Sequence, residues 1–281
     1  MNWPAEAIWE AVAPTLPGFT VEVLPQIDST NTELMRRARA GQTEPVLLVA
    51  ETQSAGRGRL GRAWQGATAA DVGATLTFSL GLPLQMADWS GLSLAVGVSV
   101  VQSLHPDLQL KWPNDVWLHD RKLAGILIET ANNAPTLATS WAALPPEGAV
   151  VALGRPGGDS IGATRYAVIG IGINIAPRTA IGLATPPAWL QELEPGLDAP
   201  ATLLRVAAPL VQAVQRFEAQ GFASFRAAFL QRDALAGRHV SLSDGTQGLA
   251  QGVDGSGALL VHTSAGLTRV SSAEVSVRPS T

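Results

Sequence analysis

The chain has 281 residues and no cysteine, which removes disulfides, thiolate zinc sites and cysteine nucleophiles from consideration. No G-x-x-x-x-G-K-[ST] run occurs, so a P-loop kinase is excluded. No uninterrupted apolar run approaches the ~20 residues that span a bilayer. The opening stretch, Met1 to Pro14, carries Glu6 and Glu10 and no basic cluster, unlike a secretory signal. The chain is therefore expected to be cytoplasmic, with no membrane partner. A basic surplus is missing as well. The net charge is −4 and the sequence pI about 5.6, whereas nucleic-acid modules are usually basic throughout. DNA is not an expected partner. Lysine itself is scarce: seventeen of the nineteen basic residues are arginine, and Lys111 and Lys122 stand eleven positions apart. An arginine-biased composition leaves few lysines wherever they fall. The functional reading is that both positions need a compact point charge where a planar guanidinium does not fit.

What is present is an ordinary globular balance, 46% apolar and 15% charged, in a length suited to one large domain and a small one. The densest feature is Gln53 to Trp64. Three glycines (Gly56, Gly58, Gly61) and three arginines (Arg57, Arg59, Arg62) fall within seven consecutive positions. Glycine lets successive backbone N–H groups turn toward an anion, and arginine adds forked donors that match carboxylate and phosphate oxygens. Such a loop is expected to be mobile until it closes over a polyphosphate or acyl-phosphate. A solvated basic loop or a nucleic-acid tail would look the same on this stretch alone.

Periodicity places the other elements. Residues 4–13 read as a short helix packing Ile8 and Trp9, and residues 19–27 as a strand. Thr30 and Glu33 have capping-box spacing, which sets Ser29, Thr30 and Asn31 at a helix N-terminus with free N–H groups. Residues 45–51 and 75–82 read as strands and 88–104 as a buried helix. Leu108 to Leu118 reads as a strand interrupted at Pro113. A turn at His119-Asp120 then returns the chain through Lys122 to Glu129, bringing Lys111, Asn114, Asp115 and Lys122 together. Residues 132–163 are rich in proline, glycine and alanine and read as an insertion. Gly170-Ile-Gly-Ile-Asn174 lies on a strand, its glycines marking where a flat ligand meets backbone. Helical spacing returns at 203–217 and 222–232. From Gly237, short strands with turns at Asp244-Gly245 and Asp254-Gly255 suggest a small barrel.

Four blocks in order, Gly56–Arg62, Lys111-Trp-Pro-Asn-Asp115, Lys122-Leu-Ala-Gly-Ile126 and Gly170–Asn174, resemble the biotin–protein ligases from about residue 20 to the end. The resemblance implies an α+β fold: a mixed β-sheet flanked by helices, as in class II aminoacyl-tRNA synthetases, over residues 1–235. A C-terminal SH3-like β-barrel would follow over 236–281. It implies activation of biotin by ATP to biotinyl-5′-AMP, then transfer to a lysine of the biotin carboxyl carrier protein of acetyl-CoA carboxylase. Lys122, Arg59, Lys111 and Asp115 would be catalytic. Ser29, Thr30, Asn31, Gln53, Arg57, Gly58, Arg59, Lys122, Gly125, Gly170 and Gly172 would hold biotin. Arg57, Arg59, Arg62, Trp64, Lys111, Asn114 and Asn174 would hold ATP or the adenylate. No protein metal ligands are assigned, and Mg2+ would be bound mainly through the ATP phosphates. Trp64 reads equally as a lid over the adenylate or as an apolar anchor for its loop.

Three departures accompany the resemblance. Only 28 residues precede Ser29, too few for the winged-helix domain of the repressor type. The 132–163 segment exceeds the usual connection, which bears on any homodimer surface beside it. Ala273 stands where the family usually places glycine before the acid. A lipoate or octanoate transferase of the same fold is the alternative, but it needs a site for an apolar chain and a different arginine–glycine signature.

Overall fold

The computed structural model describes residues 1–132, 164–178, 187–271 and 277–279. The expected insertion at 132–163 lies outside them apart from its first residue, as does the Ala273 departure. The chain opens with α1 (Ala5–Val12), β1 (Thr20–Ile27), α2 (Thr30–Arg39) and β2 (Val46–Gln53). β1 and β2 pair in parallel, an arrangement that needs a crossover, and α2 supplies it. Next come β3 (Thr75–Gln85), α3 (Leu92–Leu104), β4 (Gln109–Lys111), β5 (Asp115–Leu118), β6 (Arg121–Asn132) and β7 (Thr164–Asn174). Together they complete a seven-stranded mixed sheet in the order β1-β2-β3-β7-β6-β5-β4. α4 (Ala199–Gln220) and α5 (Ala223–Leu230) follow. The chain ends in β8 (His239–Leu242), β9 (Gln247–Val253), β10 (Leu259–Thr263), β11 (Gly266–Val270) and β12 (Val277–Pro279).

Alternation along the central strands decides where the site can be. Leu76, Phe78 and Leu80 of β3, Ile169, Ile171 and Ile173 of β7, and Ala124 and Ile126 of β6 face one large core shared with α1, α3, α4 and α5. Their neighbours in sequence face the opposite side, because strand side chains alternate. There α2 covers one end of the sheet, packing Leu34 and Met35 on Val46, Leu48, Tyr166 and Val168. Beyond the reach of α2 the same face carries small or polar residues apart from Leu127. Register aligns Thr77 with Gly172 and Ser79 with Gly170 on one side of β7, and Gly125 with Gly172 and Leu127 with Gly170 on the other. A shallow, polar floor results.

Three local expectations need correcting. Trp9 is half exposed, its indole N–H donating to the carbonyl of Phe19 (3.1 Å), while Ile8 enters the core together with Val12. The N-cap of α2 is Ser29, whose hydroxyl accepts the Thr32 N–H (3.4 Å). Glu33 pairs instead with Arg36 and Arg37, so no box forms at Thr30. Residues 108–118 are not one interrupted strand: β4 and β5 pair antiparallel across a tight turn at Trp112-Pro113-Asn114. The C-terminal strands form an antiparallel sheet in the order β11-β10-β9-β8-β12, consistent with an SH3-like fold. No pairing among the described residues closes it into the expected barrel. The hairpin turn at His119-Asp120 is present, both residues taking positive φ (48° and 62°), as a tight two-residue turn requires. Among the described residues, no helix is long and apolar enough to cross a membrane.

Candidate active site

A cavity of about 270 Å³ opens on the polar floor. Every residue that the sequence nominated for a site lines it, although they come from five separate stretches of chain. The floor is a connected hydrogen-bond network. Gln53 Oε1 accepts from the backbone N–H of Thr30 (2.8 Å) and from its hydroxyl (3.2 Å). Ser79 Oγ lies 2.7 Å from Thr30 Oγ1 and 2.6 Å from Asn31 Oδ1. Asn31 Nδ2 donates to the Leu127 carbonyl (3.3 Å) and to Glu129 (3.0 Å). Ser29, Thr30, Asn31 and Ser79 are all buried, so pairing of this kind is needed to keep them there. Glycine makes room for it: a β-carbon on Gly170 would sit 2.0 Å from Asn31 Oδ1.

The glycine–arginine loop forms a flap over this floor. Gly58 N–H donates to the Arg62 carbonyl (2.7 Å) and Trp64 N–H to the Gly56 carbonyl (2.9 Å), a miniature ladder whose tip, Leu60, is exposed. The Trp64 indole lies on the glycine floor, where a β-carbon on Gly172 would meet it at 2.4 Å. Its ring thus packs like an anchor. Its Nε1 is buried and without a partner among the described residues.

Opposite the flap, the β4–β5 turn and the β5–β6 hairpin deliver the two lysines. Lys122 Nζ is 2.7 Å from Asp115 Oδ1 and 5.8 Å from the Trp64 ring centre. Lys111 Nζ sits 5.3 Å from the Trp117 ring centre. Burial lowers the Lys111 pKa, Lys122, Arg62 and Arg278 push the same way, and Asp115 opposes them. Burial likewise lowers that of Arg59, partly offset by Asp115. Asn114 ties the turn down, donating to the Ile126 carbonyl (2.8 Å) and accepting from Arg59 (3.4 Å). At the far end Asn174 Nδ2 donates to the Lys122 carbonyl (3.3 Å). The cavity thus pairs an uncharged polar floor with a crowded cationic rim.

Sequence reasoning missed several members. Ser79 and Glu129 were legible by parity, since each falls on the same alternation as its strand's small residues Thr77 and Gly125. Arg178 lines the cavity and bonds to the Gln65 carbonyl; its Nε is buried without a partner among the described residues. Arg278 reaches the rim from β12, a contact made only by tertiary folding.

Comparison with known proteins agrees with this geometry. Residues 23–142 match the biotin/lipoate A/B protein ligase family, and residues 236–278 match the biotin protein ligase C-terminal domain. The Escherichia coli protein named bifunctional ligase/repressor BirA is 32% identical over 274 residues, spanning 94% of this chain and 75% of that protein. A Paracoccus denitrificans protein named biotin–[acetyl-CoA-carboxylase] ligase is also 32% identical over 274 residues, spanning 90% of this chain and 98% of its own. Among solved structures, the biotin protein ligase of Aquifex aeolicus in complex with biotin and ATP shares the fold. It has a TM-score of 0.69 at 24% identity and covers 92% of this chain and 99% of that one.

Proposed function

The chain belongs to the biotin/lipoate A/B protein ligase family, and from that membership we propose that it is an ATP-dependent biotin–protein ligase. Biotin's carboxylate attacks the α-phosphorus of ATP, giving biotinyl-5′-AMP and pyrophosphate. A lysine amine of a biotin carboxyl carrier domain, belonging to acetyl-CoA carboxylase or another biotin-dependent carboxylase, then displaces AMP to form an amide. The observation that carries the proposal is the convergence of floor, flap and both lysines on one cavity.

No protein nucleophile is required. Displacement at phosphorus is accelerated mainly by positioning and charge neutralisation. A carboxylate and a triphosphate repel each other, so cations must stand between them. Lys122 and Arg59 would hold the carboxylate and the α-phosphate, with Lys111, Arg57 and Arg62 along the phosphates. Asn114 would hold the β4–β5 turn against the adenylate, Asn174 would lie near adenine, and Gly58 and Gly125 would let backbone approach the ligand. Asp115, bonded to Lys122, is placed to orient the incoming amine as it loses its proton. Trp64 Nε1 offers a buried donor to the adenylate. Among the described residues, Asp115 is the one carboxylate lining the cavity, and it is already paired. Mg2+ would therefore arrive on the phosphates and supply further neutralisation there.

The polar floor discriminates among acids. Ser29, Thr30, Asn31 and Gln53 suit a ureido ring, whereas a lipoyl or octanoyl chain would bury them against hydrocarbon, costing roughly 1–3 kcal/mol per unpaired group. ATP and carrier domains are cytoplasmic, which is where the proposal places the protein. DNA has no part in it, in keeping with the negative net charge. The test is ATP–pyrophosphate exchange with biotin, lipoate and octanoate in parallel. Biotin alone should support exchange; equal rates with octanoate would overturn the reading.

A further inference from the structure

We propose that Glu129 is a positioning residue that couples the cavity floor to the flap, its two carboxylate oxygens holding Asn31 on one side and Arg57 on the other. The inference rests on the biotin-ligase reading and deepens it.

Glu129 belongs to the face of β6 that carries Gly125 and Leu127, four and two residues before it, and its register partner is Val168. It stands where the bare floor meets the end covered by α2. Its side chain is 20% exposed, enough for Arg57, 47% exposed, to reach it from the mouth. Oε1 accepts from the Arg57 guanidinium (2.8 Å) and Oε2 from Asn31 Nδ2 (3.0 Å). The second Asn31 amide hydrogen goes to the Leu127 carbonyl (3.3 Å). Ser79 Oγ closes on Asn31 Oδ1 (2.6 Å).

These contacts fix which way the Asn31 amide faces. A side-chain amide has two donor hydrogens and one acceptor oxygen with two lone pairs. Glu129 and Leu127 are acceptors only at these atoms, so both hydrogens are committed. Reversing the amide would set its oxygen against a carboxylate. What Asn31 retains is the second lone pair of Oδ1, directed into the space beside Gly170. It can therefore accept from a ligand but not donate, which selects an N–H over a C=O at that point of the ureido ring. The other half of Glu129 acts on the flap. Arg57 also reaches Thr32 Oγ1 (3.4 Å), so the guanidinium is tethered at the mouth in a half-exposed pair. Such pairs are weak enough to exchange for a phosphate or acyl-phosphate oxygen.

The experiment is a double-mutant cycle read by biotin titration calorimetry. Biotin-dependent ATP–pyrophosphate exchange serves as the control for the underlying reading. Glu129→Gln should weaken biotin binding about tenfold, with an unaltered thermal melt. Combined with Arg57→Ala it should cost less than the product of the two single changes, because the two share one contact. An analogue methylated on its ureido nitrogens adds a readout that a merely structural role would not move. Wild type should reject the analogue, and Glu129→Gln should discriminate against it at least ~10-fold less. Multiplicative effects in the cycle, or undiminished rejection of the analogue, would overturn the role of Glu129. Wild type that binds biotin but supports no exchange would overturn the ligase reading instead, and absence of biotin binding would sink both. Should Glu129→Gln lose its cooperative melt, Glu129→Asp carries the test. Its shorter carboxylate cannot span both partners, so the same loss of affinity and discrimination is expected, and full retention of both contradicts the proposal.

Discussion

Lys122 illustrates how much a single side chain is asked to do. Its ammonium answers Asp115, which is largely buried at 17% exposure, so Lys122→Ala would both strand that carboxylate and remove a cation from the reacting centre. Biotin-dependent pyrophosphate exchange should fall by about 10²–10³, the usual effect of deleting one charge-stabilising group. Lys122→Arg should not restore it, because a planar fork cannot replace a point charge in the same space. Asp233, which does not line the cavity, is a separate case. Burial pushes its carboxyl up to about 6, and only the Leu235 N–H opposes this; Oδ2 has no partner among the described residues. Its folded-state pKa thus lies above the unfolded value. The stability it contributes is complete below pH ~4 and is lost as the pH rises through about 6, on the order of 2–3 kcal/mol. Asp233→Asn keeps an oxygen for Leu235, so it should raise the melting temperature at pH 8 and leave it unchanged at pH 4.

The flap shows how an element can be read from sequence in composition and missed in detail. Its glycines and arginines stood out at once. That Trp64 would lie against Gly172 did not, because the contact joins residues more than a hundred positions apart. The strands follow the same division. Alternation made the central sheet legible, and with it the glycine floor, since a period of two fixes which residues share a face. The β4–β5 turn was read as an interruption because a proline breaks a strand and ends one equally well. Arg178 and Arg278 carried no local signal. If the flap shields the adenylate, Trp64→Ala should change biotin affinity by less than about threefold, the hydrogen bonds among Thr30, Asn31 and Gln53 and their partners being untouched, while labelling of bystander lysines on an unrelated protein rises. Blotting with labelled streptavidin measures that ratio, and label confined to the carrier domain would remove the shielding role.

At the scale of the whole molecule, the two lysines take on a further meaning. Both line the cavity, so apart from the N-terminal amine, which pairs with Glu51, the exterior offers only arginine guanidinium groups, which do not take an acyl group as amines do. An enzyme that makes an acyl-adenylate is thereby spared its own product. Incubated with biotin and ATP but no carrier, the chain should gain no biotinyl mass on a lysine. Arg36→Lys, whose native side chain is 57% exposed, should become a labelled position, and mass spectrometry of tryptic peptides distinguishes the two. The C-terminal sheet is part of the same design: Trp112 donates its indole N–H to the Gly257 carbonyl (3.0 Å), bracing the turn between β4 and β5 from below. All of this depends on one cavity gathering a neutral polar head and an anionic reacting end at opposite sides. Crystallography of the protein with biotinyl-5′-AMP tests it most directly. The ureido ring should rest on Thr30, Asn31 and Gln53, with the acyl-phosphate between Arg59 and Lys122. A ligand lying elsewhere, or one reversed so that the phosphate meets the floor, would contradict the account.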